Sequence, residues 1–236
     1  MMVRILRRCA AMASALLACA GIHAQVVDQG YTPGPLHTGA VVSTSFEGRP
    51  FWLAQSFTAG VSGRLSAVDL ALRRDDLALD NLVLQVFEIN GQALGALLGS
   101  AVITFADVPV FPQLPGPEVD LLGTHVDLSQ PGISVVSGST YALAVSALNP
   151  TAGAPADPLV VWLGDIQGPS DNYPGGQMSY TYANQLVPGD VLFAPFPLAD
   201  LGFRTFVSAV PETSTAGLAL VGLALVLTRR RSATAR

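Results

Sequence analysis

Between residues 41 and 208, apolar and polar side chains alternate in short runs, a pattern typical of β-strands with one buried face. The alternation is clearest at residues 68–72, 141–146, 178–182 and 201–207. Two segments, 82–89 and 159–163, are apolar on both faces, which favours central strands. Further strands are predicted at residues 41–46, 51–58, 99–106, 119–128 and 191–196.

Turn-forming residues separate these runs. They include Asn90-Gly91, Pro131-Gly132, Ser137-Gly138, Pro174-Gly175-Gly176 and Pro188-Gly189. About ten strands between such turns, within 184 residues, predict an all-β fold: a two-sheet antiparallel sandwich, jelly-roll-like. The body shows no repeat of fixed period, which argues against a propeller or a solenoid. We therefore predict one β-sandwich domain over residues 25–208.

The first 24 residues have a different pattern. Arg4, Arg7 and Arg8 precede a small apolar run at residues 10–20, and Ala24 follows. A basic start, a short apolar stretch and a small residue at the cut are typical of a signal peptide. About ten apolar residues are too few to cross a bilayer core of about 30 Å. We therefore predict a signal peptide over residues 1–24.

The exact processing of this segment stays open. Cleavage after Ala24 or after Ala20 fits the pattern, and residues 16–19 also resemble a lipoprotein box in which Cys19 would be acylated. Cys9 and Cys19 are the two cysteines of the chain. A chain cut after Ala24 therefore has no thiol, and its fold depends on packing instead of disulfide bonds.

The last 28 residues, 209–236, contain a second apolar segment. Residues 216–227 are all Ala, Gly, Leu or Val, and Arg229, Arg230 and Arg231 follow. A terminal helix that packs against the core of a domain would need a polar face toward the solvent, and this run has none. We predict a short transmembrane helix, about 20 Å long, with the arginines on the cytoplasmic side and the body outside.

The order of features at this end resembles the PEP-CTERM sorting signal of exported bacterial proteins. The resemblance rests on Val210, Pro211 and Glu212, a Ser/Thr-rich step, the apolar helix, and Arg229, Arg230 and Arg231. It implies an exosortase-type processing enzyme as partner, with Pro211 and Glu212 as recognition residues. It also implies a transient inner-membrane intermediate with its body in the periplasm, then a cell-surface or extracellular protein associated with exopolysaccharide and biofilm. Thr213 departs from the family, which usually has a second proline there.

Charge is distributed unevenly between the three segments. The chain has a net charge of −5 and no lysine. Residues 25–208 contain five arginines against sixteen acidic residues, which gives the body a net charge of −11. Such a body is no nucleic-acid binder, because nucleic-acid binding needs a basic face. It also disfavours polyanionic partners, and it suits divalent cations or neutral glycans.

A second resemblance concerns the body. Residues 54–59, 63–65, 137–143 and 200–206 are similar to phrases of a sandwich domain found in exported bacterial surface proteins. These phrases belong to strands and turns. The resemblance implies a fold and no particular activity.

The body contains few candidate catalytic residues. His37 and His125 belong to no recognisable triad, and we predict that both are ordinary surface or turn residues. The glutamates Glu47, Glu88 and Glu118 are candidates for a glycosidase carboxylate pair. Glu88 follows an apolar run, where burial would suit a general acid. Our prediction is that the body has no catalytic residues, with a glycoside hydrolase as the second alternative.

Two connections rich in Asp and Asn suggest a calcium site. One contains Asp75, Asp76, Asp80 and Asn81, and the other contains Asp165, Asp171 and Asn172. Carboxylate and amide oxygens suit calcium, but the same residues also cap turns by bonding the local backbone. The sequence predicts no cofactor, and calcium stays an alternative without named ligands.

Aromatic side chains supply the remaining candidates for binding. Trp52, Trp162, Tyr173, Tyr180 and Tyr182 lie in the body. We predict that Trp162 is in the core. Tyr173 is the best exposed candidate for stacking a sugar, but the pattern favours packing of its ring within the turn. The sequence therefore predicts a non-enzymatic exported surface or extracellular-matrix protein. The first alternative is a carbohydrate-binding module, with or without calcium.

Overall fold

The alternating runs form β-strands in the computed structural model. It describes residues 25–34, 38–42, 45–46, 48–75, 81–111, 121–148, 160–166, 173–192 and 199–208. The signal peptide and sorting segment predicted from the sequence lie outside these ranges. Among the described residues, no helix is long and apolar enough to cross a membrane. The strands are β1 (Gln25–Tyr31), β2 (Thr38–Val41), β3 (Ser45–Phe46), β4 (Arg49–Thr58), β5 (Gly63–Leu70), β6 (Leu72–Arg74), β7 (Leu82–Asn90), β8 (Ala93–Ile103), β9 (Thr124–Asp127), β10 (Ser134–Val135), β11 (Thr140–Ala147), β12 (Val160–Asp165), β13 (Met178–Tyr182), β14 (Asp200–Leu201) and β15 (Phe203–Ser208).

The strands form three antiparallel sheets. The front sheet has the order β13-β4-β11-β7-β8, with β3 paired to the start of β4. The back sheet has the order β1-β15-β5, and β9 and β10 pair with different parts of β5. In the side sheet, β12 pairs with β2 and also with β6 and β14. The all-β, antiparallel part of the predicted fold is confirmed.

Hydrogen bonding continues from the back sheet into the side sheet. β6 follows β5 after the single residue Ala71, and β15 follows β14 after Gly202. The Ala71 amide donates to the Gly202 carbonyl at 3.0 Å, and the Gly202 amide donates to Leu163 of β12 at 2.8 Å. A Cβ at Gly202 would lie 2.6 Å from Ala71 Cβ and from the Pro33 ring. Glycine is therefore required where these two strands bend together.

One hydrophobic core lies against the front, back and side sheets. Phe57 of β4 packs on Phe203 of β15 with ring centroids 6.1 Å apart, and on Tyr141 of β11 at 5.6 Å. Trp162 of β12 is fully buried, as predicted, and its indole nitrogen donates to the Gly202 carbonyl at 2.8 Å. Side chains from separate sheets thus share one interior, an arrangement consistent with a β-sandwich.

Several strand boundaries differ from the prediction. β8 begins at Ala93, six residues before the predicted start at 99, because its run of Ala, Leu and Gly does not alternate. Val191 forms only an isolated bridge with Ala93, in place of a strand at 191–196. The predicted strand 119–128 is limited to β9 at Thr124–Asp127 among the described residues. β1 was not predicted, since its residues are all exposed or only half-buried.

Residues Gln25–Ser208 form one compact unit. Its first and last strands are neighbours in the back sheet, and Gln25 of β1 pairs directly with Ser208 of β15. The two ends of the unit therefore lie side by side. Gln25 is fastened further by its side-chain amide, which donates to Ser66 Oγ at 2.9 Å.

Candidate functional site

The front sheet has two apolar faces. The inner face packs into the main core. The outer face carries a second, separate cluster of buried side chains, which comprises Trp52, Ala54, Phe87, Leu94, Ala142, Ala144 and Leu186. Leu186 belongs to no strand and comes from residues 183–192, a segment that crosses this face and that we call the strap. Leu186 is only 1% exposed, so the strap seals the part of the sheet that it covers.

Hydrogen bonds hold the strap on the sheet. The Trp52 indole nitrogen donates to the Ala183 carbonyl at 2.9 Å. At the other end, the Leu94 amide donates to the Asp190 carbonyl at 2.9 Å and the Gly189 amide donates to the Leu94 carbonyl at 2.8 Å. Gly189 has a φ of +98°, a conformation that favours glycine and allows this turn. The strap therefore behaves as part of the folded sheet.

An open groove of about 750 Å³ lies on the same face beside the strap. Its floor comes from β4, β11 and β13, and its walls come from the turn before β13, the β7–β8 turn and the end of the strap. The described lining residues are Ser56, Thr58, Ile89, Gly91, Gln92, Thr140, Pro174, Gly175, Gly176, Gln177, Ser179, Val191 and Leu192. None of them is charged.

Hydroxyl groups on neighbouring strands form the floor. Thr58 of β4 lies directly opposite Thr140 of β11, and their hydroxyl oxygens are 3.3 Å apart. Two residues back along β4, the Ser56 hydroxyl accepts the Gln177 amide at 2.9 Å and donates to the Gln177 carbonyl at 3.2 Å. Alternate residues of a strand share a face, so these three hydroxyls belong to one polar surface.

Glycines shape both walls. A Cβ at Gly176 would overlap the Ser56 carbonyl, and a Cβ at Gly175 would lie 2.6 Å from the Tyr173 hydroxyl. The close approach of the turn to β4 therefore requires glycine at position 176, and Gly175 leaves room for the Tyr173 ring. On the opposite wall, Gly91 has a φ of +68° and forms the tight β7–β8 turn. No side chain from these three positions projects into the groove.

Tyr173 lies behind the groove and does not face it. It is 7% exposed and packs edge-on against Phe203 with ring centroids 5.1 Å apart. Its hydroxyl donates to Gln29 Oε1 at 3.1 Å. Burial raises the pKa of Tyr173 to about 12. The predicted packing of Tyr173 is therefore confirmed, and its ring offers no exposed platform for a sugar.

A buried polar network joins the turn at Tyr173 to the front sheet and the side sheet. Asp200 of β14 is 1% exposed and accepts the Tyr173 backbone amide at 2.9 Å. Gln55 of β4 donates to Asp200 Oδ1 at 3.3 Å, and its own oxygen accepts the Leu201 amide at 2.7 Å. Neither residue was predicted from the sequence. The feature that could have revealed Gln55 is its position between apolar Leu53 and Phe57, on the face of β4 that points into the core.

The other aromatic candidates lie away from the groove lining. Trp52 is 4% exposed beneath the strap. Tyr180 and Tyr182 form a cluster with Phe51, in which Phe51 lies 5.4 Å from Tyr180 and 4.9 Å from Tyr182 between ring centroids. Tyr182 is 38% exposed. The described groove lining contains no aromatic side chain.

His125 lies on β9 at the outer face of the back sheet. Its Nδ1 is 2.7 Å from Asp69 Oδ1, and Arg204 Nη1 is 3.5 Å from Asp69 Oδ2. The three residues face one another across the register of β9, β5 and β15. The His125 side chain is 62% exposed, which agrees with a surface position, while Asp69 was missed because its partners are distant in sequence. His37 lies outside the described residues.

The glutamates do not form a catalytic pair in the described residues. Glu88 of β7 is exposed, so the burial expected there is absent. It also alternates with Phe87 and Ile89, and Ile89 lines the groove, so Glu88 belongs to the other face of the sheet. Glu47 and Glu118 lie outside the described residues.

The acidic connections are only partly described. Asp76, Asp80, Asp171 and Asn172 lie outside the described ranges. Asn81 accepts the Phe105 amide at 3.1 Å, a contact between residues 24 positions apart, which is not local turn capping. Asp127, outside the two predicted connections, does cap its own turn: its carboxylate accepts the Ser129 amide at 2.7 Å, and this bond lowers its pKa. Within the described residues, no three His, Cys, Asp or Glu side chains gather as a metal site.

Comparison with known proteins gave no relative: no family model matches the chain, and no curated protein matches it. The predicted sorting residues lie outside the described residues; they are Val210, Pro211, Glu212, Arg229, Arg230 and Arg231. Within the described residues, we therefore take the groove as the candidate functional site. Its hydroxyl and amide groups can exchange hydrogen bonds with a neutral ligand.

Proposed function

We propose that this chain is a non-enzymatic exported surface or extracellular-matrix protein. Its body is a jelly-roll-like sandwich, delivered by a signal peptide at residues 1–24 and sorted through residues 209–236. The partners are an exosortase-type enzyme, the inner membrane during transit, and exopolysaccharide at the destination. The sheets that share one core support the sandwich, and the sequence patterns at both ends support export.

The pairing of Gln25 with Ser208 is the observation that carries the proposal. Both targeting segments join the body at these residues, which are neighbours in the back sheet. The front-sheet groove is lined by other strands and turns of the body, so processing at either end leaves its lining residues unchanged. The sixteen acidic residues of the body also suit a soluble domain that does not adhere to anionic lipid.

Cell fractionation tests the proposal. We expect the full chain to pass through the inner-membrane fraction and then appear outside, whereas a chain ending at Ser208 is released into the periplasm without a membrane stage. A chain with Pro211→Ala and Glu212→Ala should accumulate in the membrane unprocessed, and Ser214→Ala serves as the matched control. Membrane retention that is the same with and without residues 209–236 would refute sorting by this segment.

A further inference from the structure

We propose that the front-sheet groove binds a neutral polysaccharide chain through its hydroxyl and amide groups. This inference goes beyond the proposed export, since it depends only on the described body. It assigns a recognition mode that needs neither aromatic stacking nor calcium. The groove volume of about 750 Å³ falls within the range of about 300–1,000 Å³ that is usual for ligand sites.

The hydrogen-bonding groups of the groove are spaced to suit an extended ligand. Neighbouring strands lie about 4.8 Å apart, so Thr140 and Thr58 supply hydroxyls at successive steps across the sheet. Each hydroxyl has one donor and two acceptor sites, and the Thr58–Thr140 contact uses only part of this capacity. The exposed amides of Gln92 and Gln177 stand at opposite walls. An extended ligand rich in hydroxyls finds partners along this path.

The charge of the groove and of the body favours a neutral ligand. The described lining has no charged side chain, although the body as a whole has a net charge of −11. An anionic polymer would meet repulsion from the body without a cation in the lining to compensate. Arg204 faces Asp69 in the back sheet, and Arg74 of the side sheet donates to the Val108 carbonyl at 3.0 Å, so neither belongs to the described groove lining. A neutral polymer carries no such penalty.

The position of the groove favours a glycan over a peptide. One common way for an extended peptide to bind is to add a strand to a free sheet edge. Two of the three floor strands are in the sheet interior, because β4 pairs with β13 and β11, and β11 pairs with β4 and β7, whereas β13 is an edge strand. The hydroxyls of β4 and β11 therefore lie on strands that present side chains and no unpaired backbone edge. Ile89, Val191 and Leu192 add apolar surface for the C–H faces of sugar rings.

Affinity electrophoresis of the full chain, purified in detergent, tests this proposal. The neutral probes are dextran, laminarin and galactomannan, and the anionic probe is alginate. We expect at least one neutral polymer to retard the chain, equally at low and high salt and with or without a chelator. Thr58→Val combined with Thr140→Val should weaken that binding by about tenfold or more, the equivalent of about 1.4 kcal/mol.

Two further variants separate a binding defect from a folding defect. Gln92→Ala with Gln177→Ala changes only exposed side chains and should also weaken binding severalfold, with an unchanged unfolding midpoint. Thr181→Val is the matched control, since it removes a hydroxyl from β13 outside the groove lining and should bind normally. Binding to none of the neutral polymers, stronger binding to alginate, binding to unstructured peptide alone, or full binding by the groove variants would each overturn the proposal. None of these results bears on export.

Discussion

The outer face of the front sheet has a sealed half and an open half, built on the same strands. Along β4 the outward positions are Trp52 and Ala54 under the strap, followed by Ser56 and Thr58 in the groove. β11 repeats this change, from Ala144 and Ala142 to Thr140. On these two strands, the strap covers the apolar positions and leaves Ser56, Thr58 and Thr140 uncovered. Covering a hydroxyl without a partner costs free energy, whereas covering an apolar side chain gains it, so the residue types decide which half is closed.

This difference assigns separate roles to the two halves. The sealed half should contribute to the stability of the body and little to binding. The floor hydroxyls of the open half should contribute to binding and little to stability, while the glycines of its wall are needed to shape the groove. Substitutions that behave otherwise would break the comparison.

Trp52→Ala should have the largest effect on stability. Trp52 is 4% exposed, contacts the apolar cluster and holds Ala183 of the strap by a hydrogen bond. Removing such a buried aromatic side chain costs about 3–5 kcal/mol of unfolding free energy. Urea unfolding followed by circular dichroism measures the loss. Trp52→Phe keeps most of the packing and should cost much less, and a loss under about 1 kcal/mol for Trp52→Ala would mean that the strap does not seal this half.

Gly176→Ala tests the wall of the open half. The new Cβ would overlap the Ser56 carbonyl, so the turn must move away from β4 and distort the groove. We expect a loss of about 1–3 kcal/mol, as for other overpacked sites, together with weaker polysaccharide binding. Gly34→Ala is the matched control, because no atom lies within 4 Å of its added Cβ. Equal unfolding midpoints for the two variants would contradict the close approach.

The sequence predicted the strands of the sealed and open halves better than it predicted the site. Alternation revealed β4 and β11, since each strand has one face in the main core. It did not reveal the strap, because Leu186 lies among Asn, Gln, Pro and Gly, and its burial depends on Trp52 far away in sequence. Gln55 and Asp200 were also missed, since their pairing spans 145 residues. The burial of Tyr173 agrees with the prediction, although its partners Phe203 and Gln29 are too distant in sequence to be named from the pattern.

Tyr173 connects the groove wall to the core, and its ionisation should be visible at high pH. Its pKa is about 12 in the folded chain against an ordinary value of 10.0. Above about pH 10 the unfolded chain loses this proton first, so the stabilisation is complete below pH 10 and is lost as pH rises toward 12. Tyr173→Phe should remove this part of the pH dependence. At neutral pH it should cost about 1 kcal/mol, for the bond to Gln29.

Unfolding experiments across this pH range measure the effect. Tyr182→Phe is the control, because Tyr182 is 38% exposed whereas Tyr173 is 7% exposed. A Tyr173→Phe chain that loses stability between pH 10 and 12 as steeply as the unaltered chain would show that another group titrates there.

The smallest effect on stability should come from the groove floor. Thr58 and Thr140 contact each other, so changing both to Val removes two hydroxyls that were partners and leaves neither one unpaired. Replacing both partners with groups of the same shape is close to neutral, within about 0.5 kcal/mol, while each single change should cost slightly more. A double-mutant cycle in urea measures the coupling. If the double variant lost as much stability as Trp52→Ala, the floor would be a structural element like the sealed half. A stable double variant that no longer binds polysaccharide would show that the sheet maintains these hydroxyls for its ligand, because its own fold does not require them.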